Sequence, residues 1–532
     1  DQAGPAGPVG LARRRLDGRA RAALDRIAAA ARGGGGRRVD VIAVLPEVNL
    51  ADWESRQPPP WLPGDGTARW HELFARALAS LKNGTPSRPA GADPDAVEAL
   101  AWEMNRLDGS TSPVPFRLLA RSWAARGRTP EARDAALAEV DAIHYPLLCS
   151  LDAPRATTAA RQLLADAARR HGWPAVDLRP LFAESAGSVL PGRRLFLDYC
   201  HLTAEGMGRA MAAVAAEVIR LRPVPGGPEE LSGRELARRP TPVRVSPEVE
   251  ARARIGAALH GAHRQLPALP GAGAELLEHW CAAALDASPA AAEALRDLAL
   301  VRTAAVPALL AEAFPRLQQP PWNLELQHGL RWEGLDGDVL LAAAAVLRRA
   351  GRPEAQEVEA ALARLAPPPG RALELAEGAR FLAEPLARFF PEAMELADLP
   401  GRGALRAPWP ESGFWLPAAG GEPAALRLAA RLPPVPGVDA PRRGPVALLV
   451  NGREAGRAVL GERWTRAGFR VPPGVLRPGL NRLALQWPLP PPVGTEALGA
   501  ARHRLELGAE ADLHPVFGEV WSLRASLGRA GG

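Results

Sequence analysis

Near the start of the chain, Val39-Asp40-Val41-Ile42-Ala43-Val44-Leu45 forms a short, mostly apolar run, rich in β-branched side chains and closed by Pro46. Such a strand has almost no polar face to offer water. It calls for cover on both sides, as in a parallel sheet flanked by helices. The neighbouring sequence provides that cover. Residues 9–32 are an Ala/Arg-rich helical stretch, closed by the glycine run 33–36. Residues 156–171 read as another helix, followed by a second strand at Ala175-Val176-Asp177-Leu178. Helix and strand in repetition predict a doubly wound parallel sheet.

The rest of the chain changes texture twice, and 532 residues are long enough for two to four domains. Between the two strands lies a mostly helical insertion, about residues 70–143. Within it, residues 116–126, Gly127-Arg128 and residues 129–140 resemble one helix-turn-helix of the tetratricopeptide type. One pair falls short of the roughly three repeats that bury a continuous core, so the segment reads as an accessory subdomain or lid. Residues 1–222 thus form the predicted α/β domain, and a Pro/Gly-rich linker follows at 223–245. Ala/Leu periodicity then predicts a helical domain over 246–400, broken near 267–271 and 367–370. Past Gly401 short apolar runs alternate with turns. Val446-Ala447-Leu448-Leu449-Val450 enters Asn451-Gly452, a strong two-residue hairpin signal. Arg470-Val471, residues 481–487 and residues 504–507 continue the rhythm, so 401–532 is predicted to be a β-sandwich. The fold class is therefore multidomain: α/β, then all-α, then all-β.

Charge and cysteine content narrow the function classes. The formal net charge is +6, but acids and bases are interleaved and Lys82 is the sole lysine. No basic stripe with aromatics runs through the sequence, which argues against a nucleic-acid partner. Three widely spaced cysteines, Cys149, Cys200 and Cys281, make neither a disulfide framework nor a zinc-cysteine site. They lean toward a reducing, cytoplasmic setting. No run of 18 apolar residues is present, so no membrane span is expected. The chain begins at Asp1, without methionine or a signal-peptide pattern.

The stretch Asp198-Tyr199-Cys200-His201-Leu202-Thr203-Ala204-Glu205-Gly206-Met207 carries the chemistry. Thr203 suits an N-cap and Glu205 the first turn, while Met207, Met211, Val214 and Val218 form an apolar stripe. Asp198 and His201 then share a tight loop before a helix. There the carboxylate can accept the imidazole Nδ1–H and leave Nε2 to deprotonate a hydroxyl. The alternative reading of the same residues is a capping aspartate beside a packed histidine.

This loop resembles the last signature block of the SGNH/GDSL hydrolase superfamily, Asp-x-x-His followed by Leu/Thr and a closing helix. Val176-Asp177-Leu178, Leu190-Pro191-Gly192 and Phe196 fit the strand and loop that precede it in the family. The resemblance spans about residues 8–221. It implies an SGNH-like doubly wound sheet and an ester hydrolase or O-acyl transferase with His201 as base and Asp198 as its orienter. It also implies Asn49 as an oxyanion-hole donor, a role worth about 2.7–4 kcal/mol in the transition state. Around Asn49 the chain departs from the family block, with Pro46-Glu47 replacing a glycine and Asp52 standing three positions on. The family's serine block has no counterpart here. The nucleophile is expected upstream of Asp1, and the alternative is a non-catalytic binding or scaffold protein on a degenerate SGNH fold. The resemblance implies no cofactor and no metal. The substrate class would be a small-molecule or carbohydrate ester, with a protein partner engaged through the helical regions.

Two further groupings stand outside the resemblance. His260 and His263 lie at i and i+3 and fit either a metal pair or two helix-face histidines. Trp409, Trp415, Trp464 and Trp487 fit either a sugar-stacking surface or a core.

Overall fold

The structure, a computed structural model, describes residues 8–33, 39–53, 61–82, 93–142, 155–185, 190–222, 243–264, 272–304, 314–317, 319–322, 334–377, 380–383, 390–396, 399–435, 437–506 and 514–528. Two compact units share the chain: residues 1–57, 79–245 and 502–509 in the first, 58–78, 246–501 and 510–532 in the second. Most of the expected linker, residues 223–242, lies outside the described residues.

The first unit opens with α1 (Pro8–Gly33) and β1 (Ala43–Leu45). After α2 (Gly66–Lys82), which runs across the division of units, come α3 (Pro94–Asp108), α4 (Pro113–Ala125) and α5 (Thr129–Asp141). Local chemistry delimits these helices. Asp93 accepts the N–H groups of Asp95 and Ala96 to start α3, and Gly109 at φ 63° ends it. Ser112 caps α4 in the same way, followed directly by a proline. Then α6 (Thr158–His171), β2 (Ala175–Asp177), α7 (Leu178–Ser185) and α8 (Ala204–Leu221) complete the unit. β1 and β2 pair in parallel, Ala43 opposite Ala175. Their core holds Val176, Leu178, Phe182, Leu195, Phe196, Ala210 and Ala213.

Two expectations change here. The first strand is three residues rather than seven and is not covered on both faces, since Val44 is 38 % exposed. An apolar run reports a demand for burial, whereas strand length depends on the partner, and only three pairs form with β2. The stripe on α8 is also reversed in part. Met207, Met211 and Val218 face solvent, and the helix buries Gly206, Gly208, Ala210, Ala213 and Ala216. The reason is close approach: a Cβ at Gly206 would run into the Leu195 carbonyl oxygen, so small residues line the contact.

In the second unit α9 (Pro247–Arg264), α10 (Ala272–Ala287), α11 (Ala291–Thr303), α12 (Gly337–Arg349) and α13 (Glu354–Ala363) precede the strands. β3 (Ala372–Glu374), β4 (Leu382–Ala383), β5 (Phe390–Leu396) and β6 (Leu399–Ala407) begin the C-terminal β-sandwich. β7 (Glu411–Ala418), β8 (Ala424–Arg431), β9 (Arg443–Val450), β10 (Arg453–Gly461), β11 (Thr465–Val471), β12 (Gly479–Gln486) and β13 (Gly518–Leu527) complete it. The sheet orders are β10-β9-β12-β7-β4 and β11-β8-β13-β6-β5, with β3 on β13. Asn451 (φ 49°) and Gly452 (φ 80°) make the two-residue turn between β9 and β10, as their sequence requires.

The helical stretch ends at Ala363 rather than near 399, and strands start at Ala372. Residues 390–396 contain good helix formers, yet they pair with β6, Met394 opposite Ala404; tertiary pairing overrides weak propensity. Conversely, where a strand was expected over 504–507, α14 (Thr495–Glu506) is helical, with residue 507 outside the described residues. Apart from residues 502–509, the expected domains 246–400 and 401–532 fall in one unit, because α13 packs on β7 and β12 and a Cβ at Gly337 would overlap the Trp415 indole. Residues 58–78, which take in the start of the expected insertion, also join this unit: Trp61 packs with Val435, Val493 and Leu498. Among the described residues, no helix is long and apolar enough to cross a membrane.

Candidate active site

The loop between Leu195 and α8 is closed by local bonds. Leu197 N–H donates to His201 O (2.8 Å), and Thr203 N–H donates to Leu195 O (3.0 Å). The Thr203 hydroxyl accepts Gly206 N–H at 3.1 Å and so starts α8. These closures turn Asp198 back on its own loop. Its Oδ1 accepts the N–H groups of Cys200 (2.9 Å) and His201 (2.8 Å), while Oδ2 lies 2.7 Å from His201 Nδ1. The Asp198 side chain is 6 % exposed and that of His201 65 %. A buried carboxylate therefore holds an exposed imidazole by Nδ1, which leaves Nε2 as the ring nitrogen available for proton transfer. Tyr199 lies between Trp53 (5.3 Å) and the His201 ring (6.0 Å).

Among the described residues Cys200 is the one thiol here, its Sγ 4.0 Å from His201 Nδ1. Loss of solvent and the negative charge of Asp198 push it up to about 11. It is protonated at neutral pH and a poor nucleophile.

Asn49 follows β1 and reaches the same loop. Its N–H donates to Tyr199 O (3.1 Å) and its Nδ2 to Asp198 O (3.0 Å), while its Oδ1 accepts Asp52 N–H (2.9 Å). All three expected site residues thus come together, but Asn49 is only 2 % exposed and directs an amide hydrogen at the loop backbone. What it does here is brace the Asp-His loop. Asp52, three residues on, binds Arg193: Oδ1 accepts from Nε (2.8 Å) and Nη2 (2.6 Å), and Oδ2 accepts the backbone N–H.

Sequence reasoning missed a layer of buried charge behind this loop. Glu47 pairs with Arg133 of α5 and lies 3.7 Å from Arg179 of α7. Burial raises its carboxyl above the usual range, against the opposing charge of Arg133. Arg117 of α4 and Arg155 share Glu139 of α5, at 3.4 and 3.2 Å. The available signal was a lone arginine among Leu118, Leu119 and Ala120, on what is otherwise the buried face of a helix.

His260 is half-buried on α9, and the side chain of His263 lies outside the described residues. Trp409, Trp415 and Trp487 are core residues, with Trp487 Nε1 donating to Ser412 Oγ at 3.1 Å. Trp464 is half-buried beside Trp521 (6.4 Å), with the Arg431 guanidinium 4.8 Å above its ring.

No protein-family model matches the chain, and no curated protein matches it. Among solved structures, the Podospora anserina GH26-CBM35 β-(1,4)-mannanase aligns over 30% of this chain at 11% identity and a TM-score of 0.18, the chain spanning 28% of the mannanase. A family 35 carbohydrate binding module from an environmental isolate aligns over 29% of this chain and 92% of its own length at 14% identity and a TM-score of 0.18. The CBM35 from Cellvibrio japonicus Abf62 aligns over 30% of this chain and 99% of its own, with 16% identity and a TM-score of 0.18. Likenesses of this extent assign the chain no function.

Proposed function

We propose that the first unit is an SGNH-type domain carrying an acyl-transfer site, acting as an ester hydrolase or O-acyl transferase. The observation that carries this reading is the 2.7 Å contact between the buried Asp198 carboxylate and Nδ1 of the exposed His201. That geometry orients Nε2 chemistry: His201 takes the proton of an attacking hydroxyl, and Asp198 stabilises the imidazolium that forms. The parallel β1–β2 pair and the closing helix α8 support the doubly wound SGNH sheet as its frame. Among the described residues no serine bonds His201, so the reading requires a nucleophile from outside them. Its substrate would be an ester of a small molecule or a carbohydrate, with no metal or organic cofactor in the chemistry.

A second reading is a non-catalytic binding or scaffold protein on a degenerate SGNH fold. It is favoured by the Asn49 amide, which binds the Asp198 carbonyl where an oxyanion donor would point at substrate.

Labelling by a fluorophosphonate probe, with p-nitrophenyl acetate hydrolysis measured alongside, separates the two. The full open reading frame is expected to label on one serine and to release p-nitrophenolate, and His201→Ala is expected to lose both by orders of magnitude. Equal activity in His201→Ala, or no labelling of the full reading frame, removes the catalytic reading and leaves the binding one.

A further inference from the structure

We propose that Arg117 is a positioning residue for the Asp198–His201 pair, acting through the loop 49–53. The loop is held from two sides. Its N–H groups face the Asp-His region: Asn49 N–H donates to Tyr199 O, and Leu50 and Ala51 N–H donate to Pro191 O at 3.0 and 3.1 Å. Its carbonyls face the helical insertion. Arg117 Nη1 donates to Leu50 O at 2.6 Å, Nη2 donates to Ala51 O at 2.7 Å, and Arg155 Nη1 reaches Trp53 O at 3.4 Å.

Arg117, Glu139 and Arg155 are all buried. Taking two guanidiniums and a carboxylate out of water costs several kcal/mol per ion, and an apolar contact would join the helices as well or better. What an apolar contact lacks is donors. A planar guanidinium satisfies two successive backbone carbonyls at once while Glu139 holds it in place, a fork a lysine does not reproduce. Asn49, at the head of that loop, fixes the Asp198 peptide through its 3.0 Å bond. The position of the carboxylate thus depends on α4, and the insertion acts on this loop as a strut where sequence alone had suggested a lid.

The inference rests on the pairing used in the proposed function, so its test reads the imidazole and needs neither substrate nor nucleophile. In protein labelled with ¹⁵N-histidine, long-range ¹H–¹⁵N spectra at about pH 9, where an imidazole is neutral, report which nitrogen carries the proton. His201 is assigned by its loss in His201→Gln. In the unaltered protein the Nδ1–H tautomer is expected to dominate. Arg117→Met leaves Glu139 paired with Arg155, so no buried carboxylate is orphaned. It is expected to lose about half or more of the Nδ1–H population, a change a merely structural residue on α4 would not produce. A wild-type tautomer ratio in folded Arg117→Met overturns the proposal. Should Arg117→Met not fold, Arg117→Gln, able to donate to one of the two carbonyls, replaces it under the same criterion. An Nε2–H tautomer in the unaltered protein is a different failure: it removes the Asp198–His201 pairing itself, and this inference with it.

Discussion

Asn49 and Asp198 stand 149 positions apart in sequence, and the amide of the first donates to the main-chain carbonyl of the second over 3.0 Å. That bond connects the end of β1 to the loop before α8, so the orientation of the Asp198 carboxylate depends on a long-range closure as well as on its own turn. Behind it, Arg117 and Arg155 anchor the carbonyl side of the same loop.

Asp198→Asn keeps the shape of the loop but presents His201 Nδ1 with a group that can donate as well as accept. The wrong tautomer is then favoured, and ester turnover by the full reading frame should fall by about 10⁴-fold. Steady-state kinetics with p-nitrophenyl acetate measure this. A fall below about tenfold would remove the pair from the chemistry.

Glu139→Ala leaves two buried guanidiniums without their shared carboxylate. Breaking a buried pair in this way costs about 3–5 kcal/mol, far more than a surface ion pair is worth. Urea unfolding followed by tryptophan fluorescence, to which Trp53 packed against Tyr199 contributes, reads the loss.

His71 gives the second unit an acid sensitivity. Its ring lies 4.9 Å from Phe517 and 6.0 Å from Trp409, and among the described residues its Nε2 has no hydrogen-bond partner. Burial lowers it to about 3 from an ordinary 6.5. The folded state therefore resists a proton that the unfolded state accepts below pH 6.5. The stabilisation is complete above that value and declines as pH falls toward 3, by at most about 1.4 kcal/mol per pH unit. Melting curves at pH 7 and pH 5 should show His71→Phe losing less stability than the unaltered chain. Equal losses would mean that His71 is protonated in the folded state.

Asn451→Ala tests the β9–β10 turn. Asn451 sits at φ 49°, donates to Asn481 Oδ1 (2.8 Å) and accepts Arg482 N–H (3.0 Å). Alanine loses both bonds and tolerates positive φ poorly, so a cost of about 1–3 kcal/mol is expected in thermal unfolding, with Asn451→Gly recovering the backbone part.

What was legible in the sequence was local. The Asn451-Gly452 turn, the cap at Thr203 and the Asp198–His201 contact each arise within three or four residues, where backbone geometry brings the groups together in any compact context. The helix-turn-helix read over 116–140 was legible for the same reason, through the Gly127-Arg128 break between α4 and α5. Regions that depend on a distant partner were misread. Residues 390–396 carry helix-forming side chains but are held as a strand by β6, and α8 turns its methionines outward because Gly206 must approach Leu195.

The sequence by itself therefore determined which residues could do chemistry: an aspartate, a histidine and a turn to join them. Only the tertiary structure decided that Asn49 braces that turn and that Arg117, Glu139 and Arg155 are buried together behind it. The physical reason is that short-range hydrogen bonds follow from spacing along the chain. Buried charge follows from which elements exclude water from it, and that depends on all of them at once.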